Sequence, residues 1–498
     1  MSATLGAGIA DHRTIAAPTR TLLLFVGAIT LARLILAAVI PLTEDEAYYR
    51  LWASSLQFGY YDHPPMIAWW IRAGMTMAGD TPLGVRLLPA LSSGLTSILV
   101  FDLAQRLGGS VKAGERAAIW FNATVLIGAG GFLAIPDAAS TPFWVLTVWA
   151  LVRSEQGGVA RWWLMAGAFA GLAMISKYSA LFLGPGILIW LALRPGGLRR
   201  LASPWPWIAS LIAAAIFATN VEWNATHHWD AFAKQFGRVA PGRLAPQFLA
   251  ELILGQILLL NPIITWFAAR GLMTWRKRSV GDLIPIVATS APFVVYLVLH
   301  SLHDRVQAHW PAPLYPGLAI CAALAAEALP TSGVQAVLKR LAAPLGLGLS
   351  ALVLLHLALP ISDLKHVRDP SAEVRDWPGF ADAVEAARVA DHAAWIGTLS
   401  YGVAGQLSDQ PQIKAPVAEL VERGRYPPGE GSWRADLSKP GLVVDLDRRL
   451  SVKALSRCFS QVTPEPDLVR GRPSYPPTRY AVFLVNGPTR DVLHLGCW

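Results

Sequence analysis

The sequence has little charge. Only 15% of its 498 residues are charged and 54% are hydrophobic, against about 25% and about 45–50% in an average soluble domain. It also lacks the nucleotide-binding patterns GxxxxGK[ST] and, after a strand, GxGxxG. We therefore expect a membrane protein whose chemistry does not depend on a bound nucleotide.

Cysteine is also scarce. The chain has three cysteines and neither a CxxC pair nor a Cys/His spacing typical of a metal site. Cys321 lies in an apolar run, whereas Cys458 and Cys497 lie in the polar C-terminal region. A disulfide between Cys458 and Cys497 and two unrelated thiols remain equally open alternatives.

The net charge of +9 does not indicate nucleic acid as a partner, because many basic residues lie in short segments between apolar runs. Examples are RPGGLRR at 194–200 and WRKR at 275–278. Such segments are typical of cytoplasmic loops that face anionic lipid headgroups. We expect membrane lipids, and no nucleic acid, around this protein.

Long apolar runs dominate residues 1–361. Since a helix needs about 20 residues to cross a bilayer, the runs predict an all-α polytopic bundle of about eleven transmembrane helices. With the N-terminus in the cytoplasm, the basic loops all fall on the cytoplasmic side, which agrees with the positive-inside rule. The runs lie at 21–40, 83–104, 116–135, 138–152, 162–176, 179–193, 205–221, 246–269, 283–301, 311–329 and 341–361.

The composition changes after residue 361. Residues 362–498 have mixed charge, helical spacing at 376–390 and strand-like pieces at 393–399, 441–446 and 479–485. With an odd number of crossings this region lies outside the cytoplasm. We predict a transmembrane domain over 1–361 and a soluble extracytoplasmic α/β domain over 362–498.

Most of the chemically versatile residues of the membrane half fall in segments on the outer side. This clustering on one face indicates an active site there. The segments are TEDEAYY and GYYDHPP in the first loop, PDA at 136–138, SKYS at 176–179, EWNATHHWDAFAKQFGR at 222–238 and SLHDRVQAHWPAP at 301–313.

The first outer loop carries adjacent carboxylates at Asp45 and Glu46. Neighbouring side chains of a helix point in different directions, so one carboxylate could accept a proton from a hydroxyl while the other positions the loop or a cation. Further along, Asp62 and His63 could bind a metal or a phosphate, and Tyr61 could stack on a sugar. Solvated loop acids and an aromatic interfacial loop are the alternatives.

Other outer segments add one acid and several cationic groups. Asp137 is a second carboxylate near the same plane, and Lys177, Arg305 and His309 could hold a phosphate. Ordinary contact with lipid headgroups is the alternative for Lys177.

The ordered set of outer strings, together with GLAMISKYSALFLGPG at 171–186, resembles the lipid-carrier glycosyltransferases of the protein mannosyltransferase and aminoarabinose transferase type, which have the GT-C fold. The resemblance covers most of residues 20–325. It implies that Asp45 activates or orients the acceptor hydroxyl and that Asp137 is its acidic partner. Aminoarabinose transferases have Glu-Lys before the double proline, where this chain has Asp62 and His63. This departure implies that Lys177 or Arg305 could bind the phosphate instead, and it argues against aminoarabinose itself as the sugar.

The resemblance implies inverting transfer of a sugar from a polyprenyl-phosphate donor to an acceptor on the periplasmic face of a bacterial inner membrane. The expected acceptor is lipid A, core lipopolysaccharide or another envelope glycan. Glu46, Tyr61, Asp62, His63, Lys177, Arg305 and His309 are the expected substrate-binding residues. A divalent metal could assist, but no cofactor is required by the sequence. A protein O-mannosyltransferase and a polytopic transporter or flippase are the alternatives.

Overall fold

The computed structural model describes residues 15–237, 243–274, 281–359, 369–426, 434–471 and 477–489. These residues form a helical bundle followed by a mixed α/β region. The helices are α1 (Arg20–Val39), α2 (Glu44–Trp52), α3 (Met66–Ala78), α4 (Pro82–Arg106), α5 (Val111–Asn122), α6 (Val125–Gly130), α7 (Pro136–Glu155), α8 (Val159–Met174), α9 (Leu183–Leu193), α10 (Pro204–Thr226), α11 (Asp230–Gly237), α12 (Gln247–Leu259), α13 (Pro262–Thr274), α14 (Ile284–Ser301), α15 (Tyr315–Ala328), α16 (Gly333–Ala358), α17 (Trp377–Ala390), α18 (Tyr401–Asp409) and α19 (Val452–Leu455).

Several helices are long and apolar enough to cross a membrane. Within the described ranges there are 5 of them, namely α1, α4, α10, α14 and α16, or 6 if the bent pair α12 and α13 forms one span. The helices α8 and α15, and α9 with the turn before it, are apolar but shorter. The bundle is thus helical with several apolar helices, and the predicted number of eleven crossings is not confirmed.

The structure has fewer long apolar helices than the eleven predicted crossings, partly because two of the apolar runs are broken. The run 246–269 bends by 106° between α12 and α13, where Asn261 has a φ of 77° and precedes Pro262, a residue that disfavours helix at the position before it. The run 116–135 is divided between α5 and α6. Leu126, Ile127 and Gly130, from the second half of that run, line the cavity described below.

The first outer loop is held by local capping and by one buried ion pair. Thr43 caps α2 by accepting a hydrogen bond from the Glu46 amide at 3.3 Å, and Glu46 Oε2 accepts one from the Thr43 amide at 3.0 Å. Arg86 of α4 then donates to both Glu46 oxygens, at 2.7 and 2.6 Å. This arrangement fixes the first turn of α2 against the bundle.

The C-terminal region is built on a five-stranded mixed sheet. Its strand order is β2-β1-β3-β5-β4, in which β1 is parallel to β2 and β3 while β5 is antiparallel to its neighbours. The long strand β4 contains Pro464 and Pro466 and lies at the edge, where a missing amide hydrogen is tolerated. The strands are β1 (Trp395–Thr398), β2 (Val417–Glu419), β3 (Gly441–Leu446), β4 (Phe459–Arg470) and β5 (Thr478–Pro488).

This sheet region packs directly on the first outer loop. Helix α18 lies against α2 so closely that a Cβ on Gly405 would be 2.8 Å from the Tyr48 amide nitrogen. Gln406 of α18 also donates to the Leu42 carbonyl at 2.7 Å. Tyr48 belongs to the same buried apolar cluster as Trp377 and Phe380, so the two regions share a core.

Two sequence predictions depend on residues beyond the described part of the chain. The proposed domain boundary at 361/362 falls within 360–368, which lies outside the described residues. Cys497 lies outside them as well, whereas Cys458 is disulfide-bonded and Cys321 is a buried free thiol. The division into two domains stays a prediction.

Candidate active site

A cavity of about 870 Å³ lies where the C-terminal region meets the loops that the sequence predicts to be on the outer side. This volume is within the range of small-molecule sites. Its walls come from the first outer loop, α4 to α7, the segments around 177, 234 and 305–312, and the C-terminal region. The charged and titratable side chains that line it are Glu44, Asp45, Tyr48, Tyr49, Asp62, His63, Asp137, Lys177, Lys234, Asp304, Arg305, His309, Glu373, Tyr401 and Arg425.

Asp45 lies in the first turn of α2 and lines this cavity. The Tyr401 hydroxyl of α18 donates to its Oδ1 at 3.1 Å. Burial raises the pKa of Asp45 to about 6, although the Tyr401 hydrogen bond opposes the rise. A carboxylate with this pKa is ionised at neutral pH and is a stronger proton acceptor than an ordinary aspartate.

Asp137 lies in the first turn of α7 and lines the same cavity. It is buried, and Lys177 Nζ is 2.7 Å from each of its carboxylate oxygens. His309 Nε2 is 3.7 Å from Oδ2, and burial lowers the pKa of His309 although Asp137 opposes this. The structure therefore brings Asp45, Asp137, Lys177 and His309, which span 265 positions of the chain, into one cavity.

Asp62 is the centre of a second charged group. Its carboxylate accepts hydrogen bonds from Tyr48 at 2.7 Å and from Arg425, and it lies 2.8 Å from Lys234 Nζ. Burial alone would raise the pKa of Asp62, but Arg425 and Lys234 outweigh it and hold the pKa below its usual value. Glu422 pairs with the same two cations. This group joins the first outer loop to α11 and to the C-terminal region.

Tyr61 and His63, on either side of Asp62, have different surroundings. Tyr61 is absent from the cavity lining; its hydroxyl donates to Glu422 at 3.2 Å and Lys234 Nζ lies 4.4 Å from its ring centre. Its position therefore does not support the predicted contact with a sugar. His63 does line the cavity, with its ring 6.0 Å from that of Tyr49.

The surroundings of Asp62 and His63 do not fit a metal site. Among the described residues no group of three or more His, Cys, Asp or Glu side chains is placed to hold a metal ion. The Asp62 carboxylate is already engaged by Arg425, Lys234 and Tyr48. We therefore assign no step of the chemistry to a metal at these residues.

Arg305 lies at the open rim of the cavity. Its side chain is 60% exposed and makes a bidentate pair with Glu251 of α12, at 2.7 and 3.0 Å. The predicted role of Arg305 in binding a phosphate stays a prediction.

Glu46 is among the substrate-binding residues predicted from the sequence. It does not line the cavity and is fully buried. Its oxygens accept hydrogen bonds from Arg86, the Thr43 amide and the Ala134 amide. As helical geometry requires, Asp45 and Glu46 point in different directions, and Glu46 anchors α2.

Several residues that line the cavity are not among those predicted from the sequence. Lys234 falls in the segment 222–238, which the sequence predicts to lie on the outer side, so the predicted topology could have indicated it. Tyr401, Arg425 and Glu373 come from the C-terminal region. No local pattern marks these three, because their position depends on how α18 packs against α2.

Comparison with known proteins gives matches to glycosyltransferases. The family model described as dolichyl-phosphate-mannose-protein mannosyltransferase matches residues 62–223, which include Asp62, Asp137 and Lys177. A lipid A galacturonosyltransferase of Rhizobium johnstonii is 28% identical over 304 residues, 54% of this chain and 58% of that protein. An undecaprenyl phosphate-aminoarabinose arabinosyl transferase of Pseudomonas fluorescens is 30% identical over 148 residues, 28% of this chain and 25% of that protein.

The fold gives a match over nearly the whole chain. The crystal structure of ArnT from Cupriavidus metallidurans, bound to undecaprenyl phosphate, superposes with a TM-score of 0.64 at 14% sequence identity. The superposition covers 95% of this chain and 100% of that one. These findings confirm the resemblance drawn from the sequence: parts of this chain are similar in sequence to glycosyltransferases that use lipid-phosphate donors, and nearly the whole chain is similar in fold to ArnT.

Proposed function

We propose that this protein is an inverting glycosyltransferase that moves a sugar from a polyprenyl-phosphate carrier to lipid A, core lipopolysaccharide or another envelope glycan. The observation that carries the proposal is the single cavity lined by Asp45, Asp137, Lys177 and His309. The names of the relatives support it, although the match with the galacturonosyltransferase spans only 58% of that protein.

Asp45 is the proposed base. The acceptor hydroxyl oxygen attacks the anomeric carbon from the face opposite the phosphate, so a new carbon–oxygen bond forms with inversion. Asp45 takes the hydroxyl proton, and the bond between the anomeric carbon and the phosphate oxygen breaks with its electron pair on the phosphate. The pKa of about 6 leaves Asp45 ionised at neutral pH yet basic enough for this role.

The cationic groups are proposed to stabilise the departing phosphate. Negative charge develops on the phosphate oxygens as the bond breaks, and a preorganised cation lowers the energy of that state. Lys177 is buried beside Asp137, and Arg305 lies at the rim. We propose that Lys177 is shared between Asp137, which orients the acceptor, and the phosphate of the donor.

The proposed location is the bacterial inner membrane, with the cavity and the C-terminal region on the periplasmic side. The donor then reaches the cavity laterally from the lipid, since its polyprenyl chain stays in the bilayer. The concentration of basic residues in the loops on the opposite side supports this orientation, because such loops generally face the cytoplasm. A count of about eleven crossings is part of the same proposal.

A protein O-mannosyltransferase is the second candidate, because the matching family model bears that description. The two candidates differ in the acceptor, which is a lipid or glycan in one and a serine or threonine hydroxyl in the other. The sugar is a separate question, since one relative is named for galacturonic acid and another for aminoarabinose.

The test is transfer by the purified protein in liposomes. Polyprenyl phosphates that carry radiolabelled galacturonic acid, galactose, aminoarabinose or mannose are each offered with lipid A or with a Ser/Thr-rich peptide. The proposal predicts label on lipid A and none on the peptide. Label on the peptide alone would establish the second candidate. If the protein neither transfers nor hydrolyses any of the carrier-linked sugars, both candidate functions are contradicted.

A further inference from the structure

Arg33 is a buried cation that pairs with no carboxylate of the described residues. It lies in α1 and is only 1% exposed. Its guanidinium donates to Ser93 Oγ at 2.9 Å and to the Ile127 carbonyl at 2.8 Å, whereas Nε has no hydrogen-bond partner. Within the described part of the chain no carboxylate pairs with it. A charge in this position is costly, and within membrane helices such residues generally face a cavity or a partner.

Arg86 shows how this fold compensates a buried guanidinium elsewhere. Arg86 is also fully buried, but Glu46 binds it through both carboxylate oxygens. The carbonyl of Pro41 accepts a further hydrogen bond at 2.9 Å. Arg33 has the same burial without the anion. An anion supplied from outside the chain would complete its environment in the way that Glu46 completes that of Arg86.

The Arg33 guanidinium lies directly behind the cavity wall. Ser93, Ile127 and Gly131 line the cavity, and a Cβ on Gly131 would be 3.1 Å from the Arg33 Cζ atom and 3.0 Å from Ser93 Oγ. Since Ser93 Oγ accepts the Arg33 hydrogen bond, its own proton is available as a donor. No acceptor for that proton is present among the residues described. Arg33 and Ser93 thus form a polarised donor at the cavity surface.

We propose that Arg33 and Ser93 recognise a carboxylate on the donor sugar, so that the natural donor is a uronosyl polyprenyl phosphate. This inference rests on the proposed glycosyltransferase function and names its substrate class. Of the two sugars in the names of the relatives, galacturonic acid carries a carboxylate and aminoarabinose an amine. An uncompensated buried cation attracts the first and repels the second.

The position of Arg33 favours the sugar over the phosphate as the source of this anion. The cations proposed for the phosphate, Lys177 and Arg305, lie on the segments around 177 and 305–312 of the cavity wall. Ser93 lies in a different part of the wall, formed by α4 and α6. With the phosphate assigned to Lys177 and Arg305, the sugar at the tip of the donor is the part that is left to supply an anion at Ser93.

The test compares two donors that differ at one carbon. Polyprenyl phosphates carrying galacturonic acid or galactose are titrated into the purified full-length protein in nanodiscs, and binding is followed by tryptophan fluorescence. We expect the galacturonosyl donor to bind about 10- to 100-fold more tightly, as for a hydrogen bond to a charged group. Arg33→Met should abolish this preference by weakening the galacturonosyl donor only. Ser93→Ala should reduce it and keeps the test decisive if Arg33→Met does not fold.

Arg153→Met is the matched control. Arg153 lies near the end of α7, about 24 Å along the helix from Asp137 at about 1.5 Å per residue, and both donors should bind this variant as they bind the unsubstituted protein. Three outcomes would overturn this inference and leave the proposed function standing. They are equal affinity for the two donors, a preference for an aminoarabinosyl donor, and equal weakening of the binding of both donors by Arg33→Met. Failure of every carrier-linked sugar to bind would overturn the proposed function and this inference with it.

Discussion

Two aspartates that line the cavity are placed in opposite electrostatic environments. Asp62 is held ionised by Arg425 and Lys234, which keep its pKa low, whereas burial raises the pKa of Asp45 to about 6. Carboxylates with pKa values pushed apart can take different roles in one site. Asp62 is suited to hold the site together and Asp45 to exchange a proton.

The Tyr401 hydroxyl is predicted to set the pH dependence of transfer. Asp45 must be ionised to act as a base, so the rate should fall as the pH drops through about 6. The Tyr401 hydrogen bond lowers the pKa of Asp45, and Tyr401→Phe should therefore move this acid limb to higher pH. The measurement is kcat/KM for the carrier-linked donor between pH 5 and pH 8.

Tyr178→Phe is the control for Tyr401→Phe. Its hydroxyl donates to Asn220 at 3.0 Å and does not contact Asp45. The acid limb of this variant should coincide with that of the unsubstituted protein. An unchanged limb in Tyr401→Phe would show that Asp45 is not the group that titrates.

Glu46→Gln is predicted to destabilise the fold. The substitution leaves the Arg86 charge buried without an anion, and breaking a buried pair from one side typically costs about 3–5 kcal/mol. Thermal unfolding of the purified protein, followed by size-exclusion fluorescence, should show the loss. Adding Arg86→Met should restore part of it because the buried charge is removed. A melting temperature of Glu46→Gln equal to that of the unsubstituted protein would contradict the anchoring role.

At the scale of elements, the contact between α18 and α2 decides whether the C-terminal region contributes to the cavity. Glycine at position 405 permits this contact, since the Tyr48 amide nitrogen and the Ala47 carbonyl carbon would lie 2.8 and 3.1 Å from a Cβ there. Tyr401, which bonds Asp45, lies one turn earlier on the same helix. The packing of these two short helices thus places Tyr401 beside Asp45, the proposed base.

Gly405→Val should separate these helices. Overpacking of this kind costs about 1–3 kcal/mol, and displacement of Tyr401 should lower transfer as well. Limited proteolysis should cleave the C-terminal region of the variant faster. Gly379→Ala, in α17 with nothing within 4 Å of the added Cβ, is the control and should behave like the unsubstituted protein. Unchanged proteolysis and transfer in Gly405→Val would contradict the importance of this contact.

Elements with strong patterns were predictable from the sequence, and the contacts between them were not. Helical spacing at 376–390 and the strand-like pieces at 441–446 and 479–485 correspond to α17, β3 and β5. The edge strand β4 was missed because Pro464 and Pro466 disfavour a strand in its sequence. Pro262 is a sequence signal for the helix break at Asn261. The apolar run 246–269 is continuous across it, however, and therefore predicts a single helix.

The candidate site shows the same division. Asp45, Asp62, His63, Asp137, Lys177, Arg305 and His309 were predicted and all line the cavity. Their predicted side of the membrane follows from charge and hydropathy, which the sequence contains. The position of Tyr401 in the cavity depends on the packing of α18, and that of Arg425 depends on its ion pair with Asp62. Both are long-range contacts that no local sequence pattern indicates. Their catalytic and binding roles stay predictions.

At the scale of the whole molecule, the cavity requires the outer loops and the C-terminal region to be on one side of the membrane. Val389 of α17 and Val159 at the start of α8 are 55% and 47% exposed. In intact spheroplasts, Val389→Cys should react with a membrane-impermeant maleimide, and Val159→Cys should react only after permeabilisation. The unsubstituted chain gives the background from the native cysteines. Labelling of both variants from the same side would contradict the proposed topology.

The central claim is that Asp45 acts as the base in a cavity that it shares with Asp137, and the direct test is the rate of sugar transfer by Asp45→Asn. The measurement uses purified protein, lipid A and the carrier-linked sugar that the unsubstituted protein transfers. The substitution preserves size and removes the charge, so transfer should fall by at least about 100-fold while donor affinity and melting temperature stay unchanged. A variant that transfers sugar at close to the unsubstituted rate would contradict the claim.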